Sequence, residues 1–312
     1  EAGKLLREGE LEAFPTETVY GLGASALDEK AVEKIFIAKG RPQDNPLIVH
    51  IAMWQDAEKY AEVTKDAETL FKAFSPGPLT LSLKKKNMVP FGVTAGRDNV
   101  GIRVPMHETA RLLIEKAGVP IAAPSANISS RVSPTTAEHV YEDMQGRIPL
   151  IIDGGQCGVG IESTVLDMTK EIPVILRPGA ITAENLTKYL PKVLTHKGEV
   201  LVAEAPGMKY RHYAPKVPCV QAKTPEGANK KYDEELSKGN KPVIIAREGF
   251  VTGSREFISL GRSAGDYAKN IYKTLREAEK KYDILIIESL DGEELEKSIM
   301  NRMNKATQGV WV

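Results

Sequence analysis

The segment Leu11-Glu12-Ala13-Phe14-Pro15-Thr16-Glu17-Thr18-Val19-Tyr20-Gly21-Leu22-Gly23 decides the reading of the fold. Its first four residues read as a short strand. The strand runs straight into a turn of hydroxyls, one carboxylate and two glycines, where backbone can approach a ligand closely. An ordinary strand-turn is the other reading. Asp28 then caps a helix whose apolar face is Ala31, Val32, Ile35 and Phe36. Strand, polar turn and amphipathic helix, in that order, make the repeating unit of an α/β protein.

The same alternation extends outward from this segment. Strands are expected at 47–51, 79–83, 100–104, 120–123, 150–152, 164–166 and 174–176, with helices at 67–74, 108–117, 136–144 and 183–190. They predict a large mixed sheet covered by helices. The pattern loosens over 194–217, which carries Gly198, Pro206, Gly207 and Pro215 and reads as a linker. A second alternation follows, with strands at 218–221, 242–246 and 284–288 and helices at 230–236, 265–280 and 293–304. The expected organisation is a first domain at 1–193, a linker at 194–217 and a small α/β domain with a parallel sheet at 218–312.

With 312 residues, two domains are expected. Lys+Arg and Asp+Glu are both 42, so the chain lacks the basic excess of a dedicated nucleic-acid binder. Cys157 and Cys219 stand far apart in no metal-ligand spacing, which argues against a disulfide framework and for a reducing compartment. No apolar run reaches the roughly 18 residues of a spanning helix. The polar opening, Glu1 to Gly9, has no apolar core of the signal-peptide kind. The chain opens without Met, and a short preceding piece is expected.

Familiar motifs fail first. There is no G-x-x-x-x-G-K-[ST]. Gly21-Leu22-Gly23 matches a dinucleotide fingerprint only superficially, because the acidic strand end expected about 20 residues on is instead the turn Arg41-Pro42-Gln43-Asp44-Asn45-Pro46. Zinc and serine-hydrolase patterns are missing as well.

Four polar clusters remain, each at an expected strand or helix end. The turn at Thr16 to Gly23 is the first. In the second, Gly40 stops a helix and Lys39 and Arg41 sit beside Asn45 and His50. Two cations on a rigid turn suit a polyphosphate, although they also complement the helix dipole, and a lone His is commonly a core residue. The third is Pro124-Ser125-Ala126-Asn127, running on to Ser133, at a strand's carboxyl end where open α/β sheets bind ligands. A Ser/Asn turn cap is the alternative. Arg103 lies inside an apolar strand and needs a partner if buried, either a bound anion or an internal Asp or Glu. The fourth is Gly160-Ile161-Glu162-Ser163-Thr164-Val165 with Arg177. Cations and hydroxyls without a nucleophile–base pair suit phosphoryl or nucleotidyl transfer, where the protein supplies position and charge.

In order, Pro15 to Gly23, Lys39-Gly40-Arg41-Pro42 with Asn45-Pro46-Leu47, Ser75 to Thr80, Val100 to Pro105, Pro124 to Asn127 and Glu162 to Val165 resemble the signature segments of the YrdC-domain family. Ala205 to Pro215 resembles the linker of its long two-domain form, the threonylcarbamoyl-AMP synthases, and Asn301 to Ala306 resembles the second domain's tail. The resemblance implies a twisted open mixed sheet with a concave, positively charged face, plus a smaller Rossmann-like domain. It implies condensation of L-threonine, bicarbonate and ATP into threonylcarbamoyl-adenylate, with pyrophosphate released. A separate tRNA threonylcarbamoyltransferase would use the product for tRNA modification in the cytoplasm.

By the same resemblance Thr18, His50, Arg103 and Ser163 match threonine-holding positions. Arg41, Asn45, Ser125, Ser133 and Arg177 match nucleotide-contacting positions. Lys39 would face the phosphates as a catalytic cation with Arg41, and His212 or Tyr213 would close over the nucleotide. Mg²⁺ would come with ATP, without a dedicated protein site. The stretch Gly96 to Asn99 lacks a Thr that some relatives carry, and no contact is assigned to it. Two other readings stand beside this one. A hydrogenase-maturation carbamoyl-transfer protein would need zinc-finger cysteines that the chain lacks. An RNA-binding protein would use Lys39, Arg41 and Arg103 as phosphate contacts, and even the synthase reading allows a weak tRNA contact.

Overall fold

The structure, a computed structural model, describes residues 1–196, 212–250 and 253–312. These form two compact units. The first comprises Glu1–Ser129, Pro134–Gly158 and Glu162–Tyr210; the second comprises Ser130–Ser133, Val159–Ile161 and Arg211–Val312. The units are therefore not simple halves of the chain. Most of the expected linker, including Gly198, Pro206 and Gly207, lies outside the described residues.

Ten strands build the first unit. They are β1 (Glu12–Phe14), β2 (Gly21–Ser25), β3 (Ile48–His50), β4 (Leu79–Lys84), β5 (Asn99–Arg103), β6 (Ile121–Ala123), β7 (Leu150–Ile151), β8 (Thr164–Asp167), β9 (Val174–Arg177) and β10 (Leu194–Thr195). Their order across the sheet is β10-β9-β8-β4-β5-β3-β6-β2-β1-β7. Parallel and antiparallel neighbours mix, as at β3–β5 and β3–β6.

Alternation along the strands separates two unlike faces. Leu79, Leu81 and Leu83 of β4 join Val49, Ile102, Ala122, Leu22 and Ala13 in one apolar core. The helices Glu29–Lys39, Lys65–Phe74 and Ala137–Met144 press Ile35, Phe71 and Met144 into it. Asp28 caps the first of these helices by accepting from Lys30 and Ala31 backbone N–H, and Gly40 ends it at φ 60°. On the opposite face, Ala2–Arg7 and Glu108–Ala117 cover Phe14, Ile121 and Ala123 at one end of the sheet. Beyond those helices the same face presents Thr80, Ser82 and Asn99 around a small hollow of about 10 Å³.

One sequence expectation needs correction. Gly21 to Gly23 is not turn but the start of the central strand β2, paired with β1 and β6. A Cβ on Gly23 would lie 2.7 Å from Ile121 Cγ2 and 2.8 Å from the Phe14 ring. The glycines admit the Phe14 ring against the sheet, which a propensity argument against glycine in strands cannot register.

The second unit holds β11 (Cys219–Ala222), β12 (Pro242–Ala246), β13 (Phe257–Ser259) and β14 (Ile284–Glu288). They form a wholly parallel sheet in the order β11-β14-β12-β13. β11, β12 and β14 are buried throughout, which explains the apolar runs 242–246 and 284–287. The edge strand β13, three residues long and partly exposed, carries too little pattern to be anticipated. The helices Pro225–Ser237, Ala264–Ala278 and Leu295–Ala306 complete the unit.

Candidate active site

β5 brings Arg103 onto the polar face of the first sheet, with 3% of its surface exposed. Its Nη2 lies 2.7 Å from Glu17 Oε1, its Nη1 donates to Thr18 Oγ1 at 3.0 Å and its Nε donates to the Gly77 carbonyl. Glu17 Oε2 accepts the Met106 backbone N–H. The internal acid that a buried arginine needs is therefore Glu17, a residue of the opening segment. Thr16 organises the turn, since its hydroxyl donates to the Val19 carbonyl. With that proton committed, the 2.9 Å contact between the two threonine hydroxyls runs from Thr18 to Thr16.

His50 lies beside Arg103 on β3, edge-on to Phe14. Burial first, and the Arg103 charge second, pull its pKa down to about 3, against a smaller opposing pull from the Ile48 and Ile121 carbonyls. The imidazole is thus neutral at physiological pH, and Nδ1, 3.1 Å from the Ile48 carbonyl, carries the proton.

Strand register aligns further groups. Val165 pairs with Arg177 on one side and Thr80 on the other. Leu81 pairs with Ile102, which sets Thr80 level with Arg103, and Arg103 pairs with His50. Arg177, Val165, Thr80, Arg103 and His50 therefore form one row across five strands, on one face. Ser163 joins the row from the loop before β8, with its hydroxyl 2.8 Å from Thr80 Oγ1 and 3.0 Å from Arg177 Nη2. Four of the expected residues, His50, Arg103, Ser163 and Arg177, thus meet on this face, with Thr18 bonded to them.

Lys39 behaves differently from expectation. It is 1% exposed, and its ammonium donates to the carbonyls of Ser125 and Asn127. It holds the Pro124-to-Asn127 loop rather than facing open space. Backbone bonds from Ala126 to Tyr20 and from Ser129 to Lys39 fix the same loop. The Ser125 hydroxyl donates to Asn127 Oδ1. Arg41 is half-buried, and its Nη2 donates to the carbonyls of Asn45 and Pro46. Asn45 is buried with no hydrogen-bond partner for Oδ1. Such an acceptor suits a ligand donor. Pro46, Ile48, Thr80, Ser82, Asn99 and Val165 are among the residues lining the small hollow on the polar face. Asn99 also borders a wider one of about 490 Å³, edged by Lys84, Arg97 and Lys170.

The remaining expected residues belong to the second unit. Ser133 lies in the Ser130–Ser133 segment. Tyr213 is buried, at φ 63°, with its ring stacked on Tyr272 at 5.6 Å and His212 tilted beside it. Among the described residues no group of three or more His, Cys, Asp or Glu is placed to hold a metal ion. Burial pushes the Cys157 thiol up to about 12, so it offers no thiolate nucleophile. Sequence reasoning missed Thr80 as a site residue, although the alternation Leu79-Thr80-Leu81-Ser82-Leu83 marks it as facing away from the core.

Comparison with known proteins gives the following. The family model Sua5_yciO_yrdC, described as telomere recombination, matches residues 4–179, and the model for the C-terminal domain of threonylcarbamoyl-AMP synthase matches residues 181–308. The threonylcarbamoyl-AMP synthase of Pyrococcus abyssi is 46% identical, over 98% of this chain and 93% of the relative. That of Bacillus subtilis is 45% identical, over 99% and 92%. The crystal structure of P. abyssi Sua5 complexed with L-threonine superposes with a TM-score of 0.95 at 44% identity, covering 100% of this chain and 95% of that one. E. coli YciO gives a TM-score of 0.53 at 29% identity, covering 57% of this chain and 87% of that one.

Proposed function

The chain belongs to the Sua5–YciO–YrdC family, and from that premise we propose that it condenses L-threonine, bicarbonate and ATP into threonylcarbamoyl-AMP and pyrophosphate. The carrying observation is the polar row Arg177–Thr80–Arg103–His50, with Thr18 and Ser163 bonded into it, on the polar face of the first sheet. Arg103 takes the threonine carboxylate. Its recorded bonds use three of its five N–H donors. Thr18, His50 and Ser163 complete the threonine side. A neutral His50 neither repels the ammonium form nor adds a proton to the amine.

Threonine's free amine attacks carbon dioxide or bicarbonate, forming an N–C bond and a carbamate; with carbon dioxide the amine's proton goes to water, and with bicarbonate it leaves within the water expelled. A carbamate oxygen then attacks the α-phosphorus of ATP in line. The bond to the β-phosphate oxygen breaks, and pyrophosphate leaves with that electron pair. Arg41 and Arg177 offset the charge, while Asn45, Ser125 and Ser133 hold the nucleotide. Lys39 acts by keeping the Ser125 loop in place. Tyr213 adds a further contact to the nucleotide. Mg²⁺ enters as the ATP complex, carried by the phosphates.

The product passes to a separate transferase acting on tRNA. We place the reaction in the cytoplasm, in keeping with two free, buried cysteines. Among the described residues no helix is long and apolar enough to cross a membrane. An RNA-binding role is not favoured, because Lys39 and Arg103 are buried and bonded within the protein, whereas phosphate contacts need exposed cations. A mass-spectrometric search for the adenylate, with threonine against serine, tests the proposal. Absence of a threonine-dependent adenylate overturns it.

A further inference from the structure

The second unit contains two buried charges that local rules disfavour. Arg276 is 0% exposed, inside the helix Ala264–Ala278. Glu279, 9% exposed, sits at that helix's carboxyl end, where the dipole opposes an anion. Both serve the same four residues. Arg276 donates from Nε at 3.0 Å and from Nη2 at 2.6 Å to the Val132 carbonyl. Glu279 Oε1 lies 2.5 Å from Arg131 Nη2, and its Oε2 accepts the Lys216 backbone N–H. Ala214 N–H donates to the Ser130 carbonyl from the remaining side. The same helix carries a second loop, since a Cβ on Gly160, at φ 81°, would lie 2.4 Å from the Ala268 carbonyl oxygen.

Ser130–Ser133 and Val159–Ile161 are short excursions of a chain that otherwise builds the first unit. On either side of the first excursion the chain is bonded within the first unit: Ser129 N–H donates to the Lys39 carbonyl, and Tyr20 N–H donates to the Pro134 carbonyl. Desolvating a guanidinium and a carboxylate is costly unless each meets a partner of fixed geometry. Departures from local rules of this kind concentrate where function requires them.

We infer that Arg276 and Glu279 are positioning residues for the reaction, holding the Ser130–Ser133 segment, and with it the nucleotide-contacting Ser133, in one conformation. This rests on the reaction proposed above.

Two measurements test it. In Arg276→Met the segment 129–134 loses its anchor, and hydrogen–deuterium exchange of that peptide, without substrates, is expected to accelerate. Steady-state kinetics is expected to show KM for ATP raised roughly tenfold, the effect of one or two lost hydrogen bonds to a charged group, with KM for threonine within about twofold. Arg276→Lys, which keeps one donor, should recover part of the ATP effect. If Arg276→Met does not fold, Arg131→Ala severs the same segment from Glu279 at a more exposed position. Arg262→Ala, on the exposed pair with Glu248, is the control. Unchanged exchange in folded Arg276→Met and Arg131→Ala overturns the inference. So does an equal change in both KM values tracking the loss of thermal stability, which marks a merely structural role. If the wild type forms no threonylcarbamoyl-AMP, the reaction itself has failed, the positioning role falls with it, and the exchange arm still reports whether Arg276 holds the segment.

Discussion

Glu17 and Arg103, 86 residues apart in sequence, meet as a buried ion pair at 2.7 Å. Removing one member of such a pair strands the other charge, at a typical cost of about 3–5 kcal/mol. Arg103→Ala is therefore expected to lower stability on that scale and to abolish threonine-dependent turnover. Glu17→Gln, which keeps the shape, should raise KM for threonine with a smaller stability loss. Urea denaturation alongside kinetics checks both, and an Arg103→Ala protein with wild-type stability would show that the pair is not a coupled one.

Arg41→Ala should lose roughly a hundredfold in kcat, the value of one charge-stabilising donor worth about 3 kcal/mol. The protein should still fold, because Arg41 is only half-buried at the end of its helix. Exchange of labelled pyrophosphate into ATP, dependent on threonine and bicarbonate, is the assay. Wild-type exchange removes Arg41 from the mechanism.

Lys39→Met separates two roles for a buried ammonium. With its donors on the Ser125 and Asn127 carbonyls, the substitution should depress the thermal transition and kcat/KM together, by about 2 kcal/mol in stability. A large loss of kcat at unchanged stability would instead return Lys39 to the phosphates.

Gly23→Ala should destabilise by about 1–3 kcal/mol through overpacking, since the new methyl meets Phe14 and Ile121. Adding Phe14→Leu should recover part of that loss in calorimetry. Additive losses would mean that the ring is not the obstacle.

Glu12 supplies a pH dependence. It is fully buried on β1, neither carboxyl oxygen has a hydrogen-bond partner, and burial holds its pKa up to about 7 against an ordinary 4.5. The folded state thus keeps a proton that the unfolded chain releases. Its contribution is fully present below about pH 4.5 and is lost as pH rises through about 7. Glu12→Leu should therefore stabilise more at pH 8 than at pH 5, and equal gains at both would exclude the titration.

Much of this was legible from local pattern. The helix Glu108–Ala117 and the strands Pro242–Ala246 and Ile284–Glu288 fall at the expected bounds, because their apolar periods are strong and their ends carry turn residues. The row on the polar face was legible as residue types but not as a row, because register joins Arg177 to His50 across five strands. The bonds of Lys39 to the Ser125 and Asn127 carbonyls were not legible, because a cation at a helix end carries no sign of the loop that will close over it. β2 was misread because its glycines answer to Phe14, a neighbour visible only once the strands pair. Ser133 was legible as the end of a polar cluster after a strand, with its nucleotide role placed by resemblance; that its segment belongs to the second unit was not, because Arg276, which bonds the Val132 carbonyl, lies 144 positions downstream of it.

The interleaving of the two units limits how this polypeptide can be divided. Because Ser130–Ser133 and Val159–Ile161 pack with a helix more than a hundred residues later, no single scission yields two self-sufficient fragments. A piece ending near 193 would keep both loops but leave behind the scaffold that shapes them. A piece beginning near 212 would carry that scaffold with nothing to grip. Reconstituting turnover from separately produced halves should therefore require both to be present while they fold.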